Sequence, residues 1–130
     1  MQVTPVAVDL VKGESADAIV RLKIQNGYHV NANPPTFSYL IPTQLNVAPT
    51  SDITVGAVTY PNALTKTFSF ADKPLAVYEG ETDLKVPLSA AKSTSPGVHN
   101  LSAKLRVQAC DEQVCYAPGT IDLTLPVNVK

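Results

Sequence analysis

The sequence predicts an all-β chain folded as an antiparallel β-sandwich. Three observations carry that expectation: prolines in nearly every stretch where a helix could grow, proline-free runs alternating apolar and polar residues with a period of two, and turn residues between those runs. A proline removes a backbone donor and its ring clashes with the preceding helical turn. The 11 prolines, from Pro5 to Pro126, therefore leave helices little room. An alternating run instead suits a strand with one buried face.

Val3 to Leu10 reads as a weak first strand. Ala18, Val20, Leu22 and Ile24 alternate with Arg21 and Lys23 in a second. Ile53, Val55 and Ala57 form a shorter run, and Leu84, Val86 and Leu88 another. The clearest strand sets Leu101, Ala103, Leu105, Val107 and Ala109 against Ser102, Lys104, Arg106 and Gln108. Ile121, Leu123, Leu125, Val127 and Val129 repeat the pattern, with Pro126 demanding an edge position or a bulge. Turn chemistry separates these runs at Lys12-Gly13, Asn26-Gly27, Asn33-Pro34-Pro35, Pro49 to Asp52, Pro61-Asn62, Glu79-Gly80 and Pro96-Gly97. About seven to nine short strands at such spacing indicate a sandwich. Residues 91–97 are too short to link domains, so residues 1–130 are expected to form a single domain.

At this length a folded chain buries roughly two-thirds of the surface its unfolded form exposes, enough for a core without metals or several disulfides. Ten basic against 11 acidic side chains leave a net charge of -1, with no basic footprint for nucleic acid or an anionic membrane. No apolar run approaches the roughly eighteen residues that span a bilayer. The first residues, Met1-Gln2-Val3-Thr4-Pro5, lack the charged and apolar regions of a secretory signal. An exported protein would therefore have had its signal removed.

The informative segment is Gln108-Ala109-Cys110-Asp111-Glu112-Gln113-Val114-Cys115-Tyr116-Ala117-Pro118. A strand runs up to Cys110 and another starts soon after Cys115, so the thiols are expected to flank a four-residue hairpin loop, Asp111 to Val114. Directly opposed residues of an antiparallel pair have Cα atoms about 4.5 to 5.5 Å apart, within reach of a disulfide. So short a loop gains only roughly 2 kcal/mol from the bridge. A structural clip and an exchange-active bridge both remain open on spacing alone. A zinc site would need His29 and His99 beside the cysteines, but no His pair has the usual structural-site spacing. Copper is disfavoured by a single methionine, Met1, and no Gly-x-Ser-x-Gly element supports hydrolase chemistry. No metal or other cofactor is expected.

Five stretches, taken in order, carry a resemblance: Gly27-Tyr28-His29-Val30-Asn31-Ala32-Asn33-Pro34, Tyr39-Leu40-Ile41-Pro42-Thr43, Val58-Thr59-Tyr60-Pro61, Val77-Tyr78-Glu79-Gly80, and Gln108-Ala109-Cys110 through Cys115-Tyr116-Ala117-Pro118. Together the chain resembles the N-terminal periplasmic domains of bacterial thiol:disulfide interchange proteins of the DsbD type, the disulfide bond corrector family. The resemblance implies an immunoglobulin-like sandwich acting as a protein-disulfide reductase. Such a domain takes reducing equivalents from a thioredoxin-like domain, itself supplied by a membrane-embedded domain. It passes them to periplasmic partners such as disulfide isomerases or cytochrome c maturation thioredoxins. By that likeness the chain is periplasmic, and the signal and any membrane domain lie outside it.

The resemblance also assigns residues. Cys110 and Cys115 map onto the redox pair, with Cys115 bonded to partners and Cys110 resolving the mixed disulfide. Phe70, with Phe68 on the same face of an extended strand, falls near the family's aromatic cap. The segment Phe68-Ser69-Phe70-Ala71-Asp72 lacks the adjacent aromatic pair of some members, and some members have one more residue between the cysteines. Both phenylalanines also read as ordinary core aromatics. Tyr28 and Tyr116 either flank the disulfide or fill the sandwich edge, and Asn31 and Asn33 read first as turn residues beside the site. Asp111 and Glu112 beside Cys110 disfavour a thiolate, and no helix N-terminus is at hand to offset them. The pair is thus expected to react slowly until a partner docks. The rival from a different class is a binding module in which the same disulfide is structural.

Overall fold

The computed structural model describes residues 1–130 and contains twelve strands and no helix. In chain order they are β1 (Gln2–Val6), β2 (Val8–Leu10), β3 (Ser15–Lys23), β4 (His29–Asn31), β5 (Gln44–Val47), β6 (Ile53–Val55), β7 (Leu64–Lys66), β8 (Leu75–Tyr78), β9 (Glu81–Ala90), β10 (Gly97–Val107), β11 (Ala109–Cys110) and β12 (Gly119–Val129). They form three four-stranded sheets, ordered β1-β3-β9-β6, β2-β12-β10-β5 and β11-β4-β8-β7. The first two face each other as the sandwich. Their inward residues, among them Val20, Leu22, Val86, Leu88, Leu101, Leu105 and Leu125, form one buried cluster. The alternating runs lie where periodicity puts them, because a strand can bury an apolar face only by showing every second side chain to the facing sheet.

The strand count exceeds the sequence expectation for two reasons. Four short strands, β4, β5, β7 and β8, carry too few residues to alternate visibly. Two predicted runs also divide where the chain changes sheets. The stretch from Val3 to Leu10 pairs first antiparallel with β3 and then, after Ala7, parallel with β12. The inward positions change parity there, from Val3 to Val8 and Leu10, which both cross to the opposite sheet's side of the core. The clearest predicted strand likewise ends at Val107 rather than continuing to Ala109. Gln108 leaves the ladder, and Ala109 and Cys110 pair with β4.

Proline explains two further boundaries. The run through Ala57 stops at Val55, because Pro87 of β9 accepts a bond from the Gly56 N–H at 2.8 Å but has no N–H to return. A Cβ on Gly56 would lie 3.2 Å from the Pro87 ring, so the chains approach most closely where the ladder fails. Pro126 meets its condition differently: it pairs with Asn100 of β10, and the ladder with β2 begins only at Val127.

The third sheet extends one end of the sandwich and carries the site. Three of its strands join long sandwich strands directly: β3 leads into β4, β8 into β9 and β10 into β11. At the β8 to β9 junction Gly80 adopts φ 63° and its carbonyl accepts the Ile24 N–H at 2.8 Å, tying two of these crossings together. A second small core of Phe68, Leu75 and Val77, packed against Phe37, Leu40 and Ala71, lies in this region.

The main core is expected to hold most of the stability. Leu105→Ala, at a fully buried position, should cost about 2 to 5 kcal/mol in urea unfolding. Val98→Ala, 66% exposed at the outer end of the same strand, should stay within about 0.5 kcal/mol. Equal losses would contradict the placement of the core.

Candidate active site

The two cysteines are joined in a disulfide, with Cα atoms 4.0 Å apart, as an isolated antiparallel bridge at the end of β11. The Asp111 N–H donates to the Val114 carbonyl and the Tyr116 N–H to the Ala109 carbonyl, both at 2.9 Å, closing the hairpin on either side. Asp111 locks the loop further. Its Oδ1 accepts the N–H groups of Gln113 and Val114, both at 2.8 Å, and its Oδ2 accepts the Tyr116 hydroxyl at 2.7 Å. An aspartate at the first loop position folds back on the backbone in this way because its carboxylate is short and accepts only. The Tyr116 hydroxyl, followed by the two backbone donors, holds the Asp111 carboxyl below its ordinary range. The same bond pushes the Tyr116 phenol up to about 12.

The two sulfurs sit in different surroundings. Cys110 is fully buried, whereas Cys115 is exposed. Cys115 borders an apolar cleft whose other walls include Phe37, Tyr39, Leu40, Phe70 and Leu75. The Phe37 and Tyr39 rings stack with centroids 5.4 Å apart, and Tyr39 is 77% exposed. Asn31, also at the cleft, holds this wall in place. Its side-chain N–H donates to the Ile41 carbonyl at 3.0 Å, and its carbonyl accepts the Thr43 N–H and hydroxyl at 3.1 and 2.8 Å.

His29 lies directly opposite Cys110 across the β4–β11 ladder. Both are buried, and His29 Nε2 has no hydrogen-bond partner. Phe68 stacks on the imidazole with centroids 4.1 Å apart, and Phe70 lies 5.2 Å from Phe68. Burial lowers the His29 pKa from its ordinary value; Glu79 and Asp111 oppose that shift, and Lys66 adds to it. The Lys66 ammonium is itself paired with the Glu79 carboxylate at 2.9 Å.

Several expectations are corrected here. Phe68 and Phe70 do not share a strand face: β7 ends at Lys66, and both fall in a turn closed by the Ala71 N–H donating to the Phe68 carbonyl. Phe68 is buried in the small core, while Phe70 is 36% exposed at the cleft. The Ser69 hydroxyl between them donates to the Glu112 carbonyl at 3.0 Å, fastening this turn to the disulfide loop. Asn31 is a buried strand residue rather than a turn residue, because β4 is paired on both sides, by β11 and β8. Tyr28 and Tyr116 stand at the rim, partly exposed, with ring centroids 6.3 Å apart. His99 lies toward the far end of β10 and donates to the Ser95 carbonyl at 2.7 Å, so it does not join His29 and the cysteines in one cluster. The loop-locking role of Asp111, the cleft wall of Phe37 and Tyr39, and the placement of His29 against Cys110 were not read from the sequence. The spacing of His29 and Asn31, two residues apart around Val30, was the available sign of a strand.

Three comparisons bear on this site. The family described as "Thiol:disulfide interchange protein DsbD, N-terminal" matches residues 1–126. A solved structure, the N-terminal domain of DsbD from Neisseria meningitidis in the reduced form, aligns with TM-score 0.55 and 19% identity over 85% of this chain and 77% of that one. That likeness supports the immunoglobulin-like β-sandwich fold. A family 123 glycoside hydrolase from Clostridium perfringens aligns at TM-score 0.41 and 12% identity, over 95% of this chain and 23% of that one. The fimbrial subunit AggA from Escherichia coli also reaches 0.41, at 10% identity over 99% of this chain and 95% of that one. A search of curated proteins found no match.

The Asp111 lock is testable through pH. Its carboxyl is depressed in the folded state, so its stabilisation is fully present above the unfolded value, about 3.9, and is lost as pH falls through the depressed folded value. The native protein should therefore melt above Asp111→Ala at neutral pH, and the gap should close in acid. A gap that stays constant into the acid range would count against the lock.

Proposed function

This chain belongs to the family of DsbD N-terminal domains, and from that membership we propose that it shuttles reducing equivalents between thioredoxin-like proteins through the Cys110–Cys115 bridge. The family's chemistry is thiol-disulfide exchange and its location is the periplasm. Within that frame, residues 1–130 act as one protein-disulfide reductase domain, attached to a membrane domain in the full-length protein. A thioredoxin-like donor reduces it, and disulfide isomerases or cytochrome c maturation thioredoxins accept its electrons.

One observation carries the assignment of roles: Cys115 is exposed beside a cleft, and Cys110 is fully buried. Exchange requires a thiolate to approach along the line of the bond it breaks, so access selects the sulfur attacked. In reduction of the domain, the donor thiolate bonds to Cys115 Sγ, the Cys110–Cys115 bond breaks, and Cys110 leaves with the electron pair and takes a proton. A second donor thiol then releases Cys115 and leaves the donor oxidised. In delivery, the Cys115 thiolate attacks the acceptor's disulfide. Cys110 next gives up its proton, attacks Cys115 Sγ and expels the acceptor thiolate.

The rest of the site supports this reading. Apolar rings beside an exposed sulfur suit a partner's apolar rim, because buried aromatic area drives association where a hydrophilic surface would not. Phe70, partly exposed beside Cys115, serves as the shield, and Phe68, buried on His29, holds the turn that carries it. Tyr28, Asn31 and Tyr116 frame the sulfur pair, Asn31 through the cleft wall and Tyr116 through Asp111.

Trapping tests the assignment. Cys110→Ala should accumulate a mixed disulfide with a thioredoxin-like partner lacking its own resolving cysteine, and Cys115→Ala should accumulate far less. The product should survive denaturation and disappear on reduction. Phe70→Ala should speed trapping without a large loss of stability. Equal trapping by both cysteine variants would overturn the roles. No trapping, together with a reduction potential below about -300 mV, would make the disulfide a structural clip.

A further inference from the structure

We infer that His29 is the proton partner of Cys110: its Nε2 stands unpartnered while the disulfide is intact, and it takes the hydrogen bond and then the proton of the Cys110 thiol when the bridge is remade. The inference rests on the reading above, in which Cys110 is the resolving sulfur. It begins from an anomaly. Buried polar atoms are nearly always paired, and Nε2 of His29 is the one buried side-chain polar atom in this protein without a partner. Cys110 is the residue directly opposite it, so the two side chains leave the ladder on one face with Cβ atoms about 4.5 to 5.5 Å apart. A disulfide sulfur offers no proton. A thiol does, and reduction creates one at Cys110, where no solvent reaches to receive it.

The resolving step needs such an acceptor. The Cys110 thiol passes its proton to the imidazole, its sulfur electron pair forms the bond to Cys115 Sγ, and the partner leaves as a thiolate carrying the pair of the broken bond. In the reverse direction the imidazolium returns the proton to Cys110 as that sulfur is expelled. The groups facing the ring are Lys66 on β7, Glu79 after β8, and Asp111 and Glu112 of the disulfide loop. Lys66 and Glu79 are paired with each other, and Asp111 is engaged by Tyr116 and the loop. Burial therefore prevails and keeps the imidazole in its neutral, proton-accepting form at neutral pH. His29 also borders a polar cleft lined by Tyr28, Lys66, Glu79 and Glu112.

The reduced protein treated with dithiobis-nitrobenzoate, whose released thiolate is coloured, separates the steps. A first, bimolecular release reports attack by Cys115, and a second, unimolecular release reports closure by Cys110. His29→Phe keeps a ring on Phe68 but no nitrogen. It should leave the first release within about twofold and slow the second about 100-fold. In the native protein the second rate should fall only below the lowered His29 pKa and be flat from there through neutral pH, whereas in the variant it should rise tenfold per pH unit until the Cys110 thiol itself ionises. The same variant should be harder to reduce by glutathione, by about tenfold in equilibrium constant, or about 30 mV. His29→Gln provides a second folded variant with no titrating ring and should lose the flat region likewise. An unchanged second phase in both variants would overturn the role of His29 alone. If Cys110→Ala, rather than Cys115→Ala, abolishes the first release, the exchange assignment itself fails.

Discussion

Everything at the site depends on one change of partner along the chain. Up to Val107, β10 pairs with β12, and its apolar residues fill the sandwich. Two residues later Ala109 and Cys110 pair with Val30 and His29 instead. That transfer places the first cysteine at the end of a strand rooted in the most extensive pairing of the molecule, and turns its side chain inward. The hairpin that follows carries the second cysteine back outward. The sulfurs differ in exposure because Cys110 is flanked on both sides, by His29 and by Cys115, whereas Cys115 stands at the edge of the sheet.

Stability and reactivity are held in separate places. The large core lies mainly between two sheets that do not contain the disulfide, with Val30 and Tyr78 of the third sheet reaching into it, and a bridge closing so short a loop adds little to it. The site sits on a small third sheet over a second, minor core of three buried residues. A region with few buried contacts opens at lower free energy than the body of a domain. The Phe68 to Ala71 turn is held there by the burial of Phe68 against His29 and is fastened to the disulfide loop by a single Ser69 bond.

The charges around the bridge are arranged to remain quiet. Asp111 stays ionised, its carboxylate held in place by three donors, and so disfavours a thiolate on either cysteine. Lys66 is occupied by Glu79 and is not available to stabilise a sulfur anion. No helix N-terminus lies beside the bridge, unlike in thioredoxin-like sites. This agrees with a domain that relies on its partner for nucleophilic power and keeps proton handling for the buried side of the bridge.

The sequence by itself determined the all-β class, the main strands of the sandwich, the disulfide hairpin and the family. Those features are local: alternation records which side of a strand faces inward, and two cysteines around a four-residue loop can only meet each other. Tertiary structure decided the rest. Nothing local says that the strand through Leu105 changes sheets at Gln108, that His29 comes to lie against Cys110, or that Phe68 enters a core while Phe70 borders a cleft. Strands as short as β4 carry no readable period, and their neighbours come from segments far away in the chain. Proline marks the boundary between the two kinds of information: the loss of a donor at Pro87 is visible in the sequence, but only the pairing with β6 shows which ladder it ends.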